Sequence, residues 1–232
     1  MLDAKSYVIT GGFGSLGRAV GAAVLAAGGR VALLDQAPDK EAASADDKLL
    51  RLGGLDLNQA GAAEAALQRV LARFGRIDGL INIAGTFRWE TVEGGSVDSW
   101  DLLYRVNLRT ALLTSKAALP HLVGAPGQGK RIVNIGAAAA AKAAAGMGAY
   151  TASKAGVAKL TEALAEELKD RGVTVNAILP SIIDTAVNRA DMPDADFSRW
   201  VSPQAIADLI VFLLSPQAEA ISGACIPILG RV

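Results

Sequence analysis

Ser6-Tyr7-Val8-Ile9-Thr10-Gly11-Gly12-Phe13-Gly14-Ser15-Leu16-Gly17 is a β-rich run that stops at a glycine turn and then opens a helix reaching about Ala27. Gly12, Gly14 and Gly17 satisfy G-x-G-x-x-G, the spacing that lets backbone amides at a helix amino terminus approach a pyrophosphate with no side chain between. Gly11, Phe13, Ser15 and Leu16 complete the expected cradle. The next strand, Arg30–Leu34, ends at Asp35, about 20 residues beyond the turn. A carboxylate there can accept hydrogen bonds from adenosine ribose hydroxyls and would repel a 2′-phosphate. NAD(H) is therefore the expected cofactor and NADP(H) the alternative. A plain strand-end turn residue is the other reading of Asp35.

Outward from this unit, strands and helices alternate. A helical piece near Asp39–Asp47 precedes the strand Leu49–Leu55. Asp56 and Leu57 follow, placed to meet an adenine edge, although Asp56 suits equally the cap of a helix that starts near Asn58. That helix keeps its apolar period through Phe74 and stops at Gly75. Ile77–Ile81 is the fourth strand and leads into Asn82-Ile83-Ala84-Gly85, a small-residue turn beside which a flat cofactor could lie. A long helical pattern, Ser96 to Leu122, comes next, then the strand Arg131–Ile135, a helix from about Ala149 to Arg171, and the strand Val173–Leu179. Pro180 breaks the chain into Ser181–Ser202, a stretch long enough to be a lid or binding loop. The helix Pro203–Leu214 and the strand Ala224–Leu229 close the sequence. Seven such alternations predict one α/β domain over 1–232, a Rossmann-type doubly wound parallel sheet with helices on both faces and ligand outside the strands' carboxyl ends.

Composition supports this and excludes other classes. At 232 residues and 51% hydrophobic, the chain can bury a full core. Lys plus Arg equals Asp plus Glu at 23 each, so no net basic field exists to hold nucleic acid or an anionic membrane. Cys225 is the only cysteine, which rules out an intramolecular disulfide and a cysteine-based metal cluster; no metal is expected. His121, the only histidine, reads as surface decoration at the end of a helix. No stretch approaches the roughly 18 apolar residues of a membrane span, and the start reads directly into a strand, so a cytoplasmic protein is expected.

Chemistry is carried by Tyr150-Thr151-Ala152-Ser153-Lys154, which opens a helix after a run of alanine and glycine. A tyrosine and a lysine four apart share a helical face, so a fixed ammonium near the phenol would favour phenolate and lower its pKa from about 10. By itself the spacing also fits two ordinary helix residues. Asn107, a mid-helix asparagine, is either hydrogen-bonded structurally or holds a water. Phe87 and Trp89, just after the Asn82–Gly85 turn, either wall a substrate pocket or cover the sheet edge.

These residues resemble the short-chain dehydrogenase/reductase family over essentially the whole chain. Four motifs carry the likeness: Thr10-Gly11-x-x-Gly14-x-x-Gly17, Asn82-x-Ala84-Gly85, Asn107, and Tyr150-x-x-x-Lys154. The resemblance implies that Tyr150 is the general acid/base, that Lys154 lowers its pKa and binds the nicotinamide ribose, and that Asn107 holds a water in a proton relay. It also implies that Pro180, Ile183 and Thr185 lie near the carboxamide, and that the protein is a homotetramer or homodimer built through helices at about 96–122 and 149–171. One departure stands out. The family usually places a serine 13 residues before the tyrosine to steady a developing oxyanion, and this chain has Ala137, flanked by Gly136 and Ala138. Ile83, where a second asparagine is common, and Ser15, at the usual middle-glycine position, are lesser departures.

Dihydropteridine reductase, a branch that lacks that serine, is similar to this chain near Gly136–Tyr150, including Gly146-Met147. The similarity continues in Leu179-Pro180, Asp184-Thr185, Asn188-Arg189 and Met192-Pro193-Asp194-Ala195-Asp196-Phe197-Ser198-x-Trp200. That likeness implies a small conjugated or pterin-like substrate, sandwiched by Phe87, Met147 and Trp200 and oriented by Arg189 or the carboxylates of the lid. Conventional carbonyl or alcohol chemistry is the alternative. A weakly catalytic NAD-binding protein is the third reading.

Overall fold

Apolar runs punctuated by glycine and charge become strands in the computed structural model, which describes residues 2–41, 46–123 and 129–232. The elements are β1 (Ser6–Thr10), α1 (Ser15–Ala26), β2 (Arg30–Leu34), β3 (Leu49–Leu52), α2 (Ala62–Phe74), β4 (Gly79–Asn82), α3 (Val97–Leu103), α4 (Thr110–Leu122), β5 (Lys130–Ile135), α5 (Gly148–Leu168), β6 (Val173–Pro180), α6 (Ala186–Asp191), α7 (Pro203–Leu214) and β7 (Cys225–Ile228). The strands form one seven-stranded sheet in the order β3-β2-β1-β4-β5-β6-β7. All its pairings are parallel. This is a Rossmann-like doubly wound sheet.

Strand alternation sends one set of side chains to each face. Ile9, Val31, Ile81 and Val133 pack with Val20 and Val24 of α1 and Ile206 and Ile210 of α7. Val8, Leu80, Ile132 and Val175 pack with Leu67 and Val70 of α2, Leu122 of α4 and Leu164 of α5. Each fully buried aliphatic side chain contributes about 1.5–3 kcal/mol. Chain order reverses between β1 and β4, which opens a crevice at their carboxyl ends. Thr10 Oγ1 pins that point by accepting from the amides of Ile83 and Ala84 at 3.1 and 3.2 Å. Among the described residues no helix is long and apolar enough to cross a membrane.

Three expectations need correction. The third strand stops at Leu52 instead of Leu55, because Gly53 follows and Gly54 turns the chain with φ +72°. The helix expected near Asp39–Asp47 is absent at both ends: Asp39–Glu41 and Asp46–Asp47 are irregular, and residues 42–45 lie outside the described residues. Arginines on other elements draw its carboxylates away, Arg51 and Arg18 taking Asp39 and Glu41, and Arg73 taking Asp47. The pattern from Ser96 to Leu122 is helical, but Tyr104–Arg109, around Asn107, is π-helix. Such insertions recur at functional sites because the extra residue re-aims its neighbours.

The segment from Ser181 to Ser202 contains α6 and a 3-10 turn at Phe197–Arg199, and the Ile183–Val201 bridge closes its base. Ser202 then caps α7 by accepting from the Ala205 amide at 3.1 Å, with Pro203 in the first turn. Ser202→Ala is expected to cost about 1 kcal/mol and to lower Tm by about 2–4 °C. An unchanged thermal melt would show that the cap contributes nothing.

Candidate active site

Two glycines shape the crevice floor. Gly11 has φ +65°, and a Cβ there would sit 2.9 Å from the Ala84 amide nitrogen; a Cβ on Gly17 would sit 2.2 Å from the Gly11 carbonyl oxygen. The turn therefore closes against both α1 and the β4 end. Helical bonding in α1 begins with Arg18 N–H to the Gly14 carbonyl, so the amides of Ser15, Leu16 and Gly17 have no acceptor within the helix. Gly14 at the N-cap supplies no side chain and the first turn carries no acid, which leaves the positive helix end open to an anion. A dinucleotide pyrophosphate fits these residues.

Asp35 is already engaged, its two carboxylate oxygens accepting from Phe13 N–H and Ala37 N–H at 2.9 Å each. Asp56 accepts from Asn58 N–H and the Gln59 side-chain amide at 3.0 Å each, so its capping role is the one seen here. Leu57 is 5% exposed and part of the core, leaving only its backbone for a ligand. Asn82 is buried in a satisfied network: its amide donates to Ser115 Oγ at 3.1 Å and Asn134 Oδ1 at 2.8 Å, and its oxygen accepts from Thr114 at 2.7 Å. It holds the β4 end rather than facing the crevice.

Two of the three residues singled out for chemistry, Asn107 and Lys154, meet beside Gly85, and Tyr150 is tied to Asn107 through Ser153. A Cβ on Gly85 would lie 3.1 Å from Asn107 Oδ1 and 3.3 Å from Lys154 Nζ, so both polar ends border the Asn82–Gly85 turn. Asn107 accepts from the Thr86 amide at 2.7 Å and donates to the Thr86 carbonyl at 3.0 Å and to Ser153 Oγ at 2.9 Å. Ser153 in turn donates to the Tyr150 carbonyl at 2.7 Å. Lys154 Nζ donates to the Ile135 carbonyl at the end of β5, at 2.7 Å. The Phe87 ring meets Tyr150 edge-on, with centroids 4.9 Å apart. Ser153 and Thr86 were not singled out from the sequence. The Tyr150–Ser153 spacing of three could have suggested the first; the backbone role of Thr86 has no sequence signal.

The family model for short chain dehydrogenases matches residues 5–196. This chain belongs to that family. D-threitol dehydrogenase of Mycolicibacterium smegmatis is 34% identical to it, over 96% of this chain and 90% of that protein. A 3-oxoacyl-(acyl-carrier-protein) reductase of Vibrio harveyi is 31% identical, over 99% and 97%. Among solved structures, the 3-ketoacyl-(acyl-carrier-protein) reductase of Brucella melitensis complexed with NADH has TM-score 0.90 and 27% identity, covering 99% of this chain and 98% of the other. The protein is thus an oxidoreductase of the short-chain, NAD(P)-dependent kind.

In this short-chain dehydrogenase burial sets the protonation of the site. It pushes the Tyr150 phenol up to about 12 and the Lys154 amine down to about 8. The expected lowering of the phenol by its neighbouring lysine is therefore reversed, because desolvation penalises both charged forms. The phenol is a filled proton donor across the neutral range.

Around this centre the remaining residues divide. Ala137 is 4% exposed and extended, at the start of a short 3-10 turn, with no hydroxyl to offer. Met147 is half-buried at the α5 N-cap. Trp89 lies across Gly146, whose Cβ would come within 2.1 Å of the indole, and is itself 61% exposed. Glu90 N–H to Gly146 O, 2.8 Å, fastens the two loops together. Trp200 is 8% exposed and packs on Phe197 at 4.8 Å, so it belongs to the lid's own core instead of an open wall. Arg189 is bonded to both oxygens of Asp184 at 2.6 and 2.8 Å and stacks over Phe197 at 4.8 Å, which leaves it engaged within the lid. Thr185 caps α6 through Asn188 N–H, Ile183 accepts from the Asn188 side chain, and Pro180 ends β6.

Proposed function

We propose that this chain is an NAD(H)-dependent reductase of a small, conjugated substrate, with Tyr150 as proton donor. The observation that carries the reading is the meeting of Asn107 and Lys154 at Gly85, with Tyr150 tied to Asn107 through Ser153 and a buried Ala137 where a hydroxyl would polarise a carbonyl. Gly11, Gly14, Ser15, Leu16 and Gly17 would hold the pyrophosphate, Asp35 the adenosine ribose, and Ala84, Gly85, Ile183 and Thr185 the nicotinamide side. Bound there, the nicotinamide supplies the hydride. Tyr150 keeps its proton at neutral pH and delivers it from the phenolic oxygen. Lys154 borders the same turn and clamps the cofactor ribose, while Asn107 fixes the Thr86 backbone and Ser153, which bonds the Tyr150 carbonyl.

Without a donor at residue 137, a localised oxyanion lacks a partner worth about 10²–10³ in rate. A quinonoid or similarly conjugated acceptor spreads the developing charge and needs that partner less. The exposed rings of Phe87 and Trp89 offer a flat apolar wall for it, which favours the likeness of the carboxyl-terminal half to dihydropteridine reductase. A second reading, conventional ketone or polyol chemistry, is favoured by the threitol dehydrogenase and 3-oxoacyl reductase relatives.

An NADH-oxidation panel of quinonoid pterins, quinones and simple ketones separates the two. The first reading requires the conjugated acceptors to react fastest, and a ketone turned over faster than all of them would overturn it. Ala137→Ser is then expected to raise ketone turnover about 10²-fold, the low side of what a positioned donor is worth, while leaving the conjugated acceptors near their parent rate. Exposed Trp100, Tyr104 and Leu112 on α3 through α4 support self-association through this face and α5.

A further inference from the structure

Beside the glycine turn, two arginines and two acids form a closed circuit that the reaction itself does not use. Arg51, on β3, has a side chain only 9% accessible. Its guanidinium lies over the Phe13 ring, 4.6 Å from the centroid. It pairs with Asp39 at 2.8 Å and with Glu41 at 2.9 Å. Arg18, on α1, donates through Nε to the Phe13 carbonyl at 2.8 Å and pairs with the same Glu41. Phe13 N–H is the group bonded by Asp35, so the circuit abuts the carboxylate that ends β2. The loop is also seated on β3's end: Gly54 N–H donates to the Ala37 carbonyl at 3.0 Å, and a Cβ on Gly53 would sit 2.3 Å from the Asp39 amide nitrogen.

We propose that Asp39 and Glu41 set the choice between NAD(H) and NADP(H), by occupying with their own carboxylates the guanidinium groups of Arg18 and Arg51. This rests on the proposed function, in which the adenosine end of the cofactor lies at Asp35. Two arginines at that edge are the side chains suited to a 2′-phosphate, since guanidinium takes phosphate oxygens two at a time. Here each is already paired with a carboxylate from residues 39–41, and Asp35 adds a further negative charge next to them. An incoming phosphate dianion has to displace a tethered carboxylate, while a ribose with free hydroxyls does not. Discrimination is thereby shared between Asp35, which repels directly, and two acids that act by competition for cations.

The test is direct binding, read from the fluorescence of NADH and NADPH on titration with protein at low ionic strength, without substrate. In the double variant Asp39→Asn/Glu41→Gln, Kd for NADPH is expected to fall at least tenfold and Kd for NADH to change less than threefold. The NADPH gain should disappear when Arg51→Met is added, and shrink as salt is raised. A control pair on the outer face of α5, Glu162→Gln/Glu166→Gln, makes the same change of net charge elsewhere; an equal gain there would refute the proposal. So would NADH binding in parent and double variant with no NADPH gain, while leaving the proposed function standing. If the parent binds neither nucleotide, the proposed function falls and this inference with it. Single Glu41→Gln, expected to give a smaller gain of the same sign, decides the matter if the double variant does not fold.

Discussion

Replacing Tyr150 by phenylalanine is expected to lower kcat/KM by about 10³-fold, within the 10²–10⁴ that a positioned general acid is worth, with NADH affinity and thermal stability close to the parent. The ring stays; its edge contact with Phe87 is apolar and survives. The phenol oxygen appears in none of the hydrogen bonds that hold the site, since Ser153 bonds the Tyr150 carbonyl and Asn107 bonds Thr86 and Ser153. Removing it thus leaves the scaffold intact and takes away one proton. Because burial holds that phenol at about 12, the reductive rate should not fall through loss of the phenolic proton across neutral pH, and a fall setting in near pH 8 belongs to the Lys154 amine. Steady-state kinetics with the best acceptor, together with an NADH titration of the variant, check both halves. Parent-like turnover in the variant would remove Tyr150 from the chemistry.

What the sequence made legible depended on how local the determining interactions are. β2 and α7 read to the residue because both are bracketed by unambiguous punctuation, Gly28-Gly29 and Asp35 in one case, Ser202-Pro203 and Ser215 in the other. The stretch near Asp39–Asp47 has a helix-like composition, but its acids answer to Arg18, Arg51 and Arg73, which lie on other elements and leave no local period. β3 was read three residues too long because Leu55 continues an apolar run that the backbone of Gly53-Gly54 has already turned away. The π-helical stretch is invisible to a 3.6-residue pattern, although Asn107 marks its place.

At the site, spacing points to Tyr150 and Lys154 and a polar residue in mid-helix points to Asn107, and the structure brings Lys154 and Asn107 to the same glycine. Spacing alone gives the wrong direction for the phenol of the pair. Desolvation depends on everything packed around a group, and four intervening residues say nothing about that. Trp200 and Arg189 show the same limit, since their partners Phe197 and Asp184 satisfy them within the lid.

Lys154→Met should separate the cost of this site from its use. Activity is expected to fall by about 10²-fold or more, as for loss of a positioned electrostatic group, with weaker NADH binding. Stability should move differently with pH. The folded protein holds the Lys154 amine at about 8, against an ordinary value of 10.5. Between these two values the unfolded chain binds more protons than the folded one, so the lysine's contribution to stability rises with pH through that window. Its penalty is full well below pH 8 and is lost above about pH 10.5. Methionine carries no such penalty. The variant's stability relative to the parent should therefore be about 2 kcal/mol more favourable at pH 7 than at pH 10, from 1.36 kcal/mol per pKa unit. The lost bond to the Ile135 carbonyl lowers the variant at both pH values. Tyr150, raised by burial, works the other way only above pH 10 and is common to both proteins. Urea unfolding of the two proteins at pH 7 and pH 10 measures the difference. Equal values at the two pH values would mean that the amine is as well solvated folded as unfolded, and that the buried cation on which ribose clamping depends is absent.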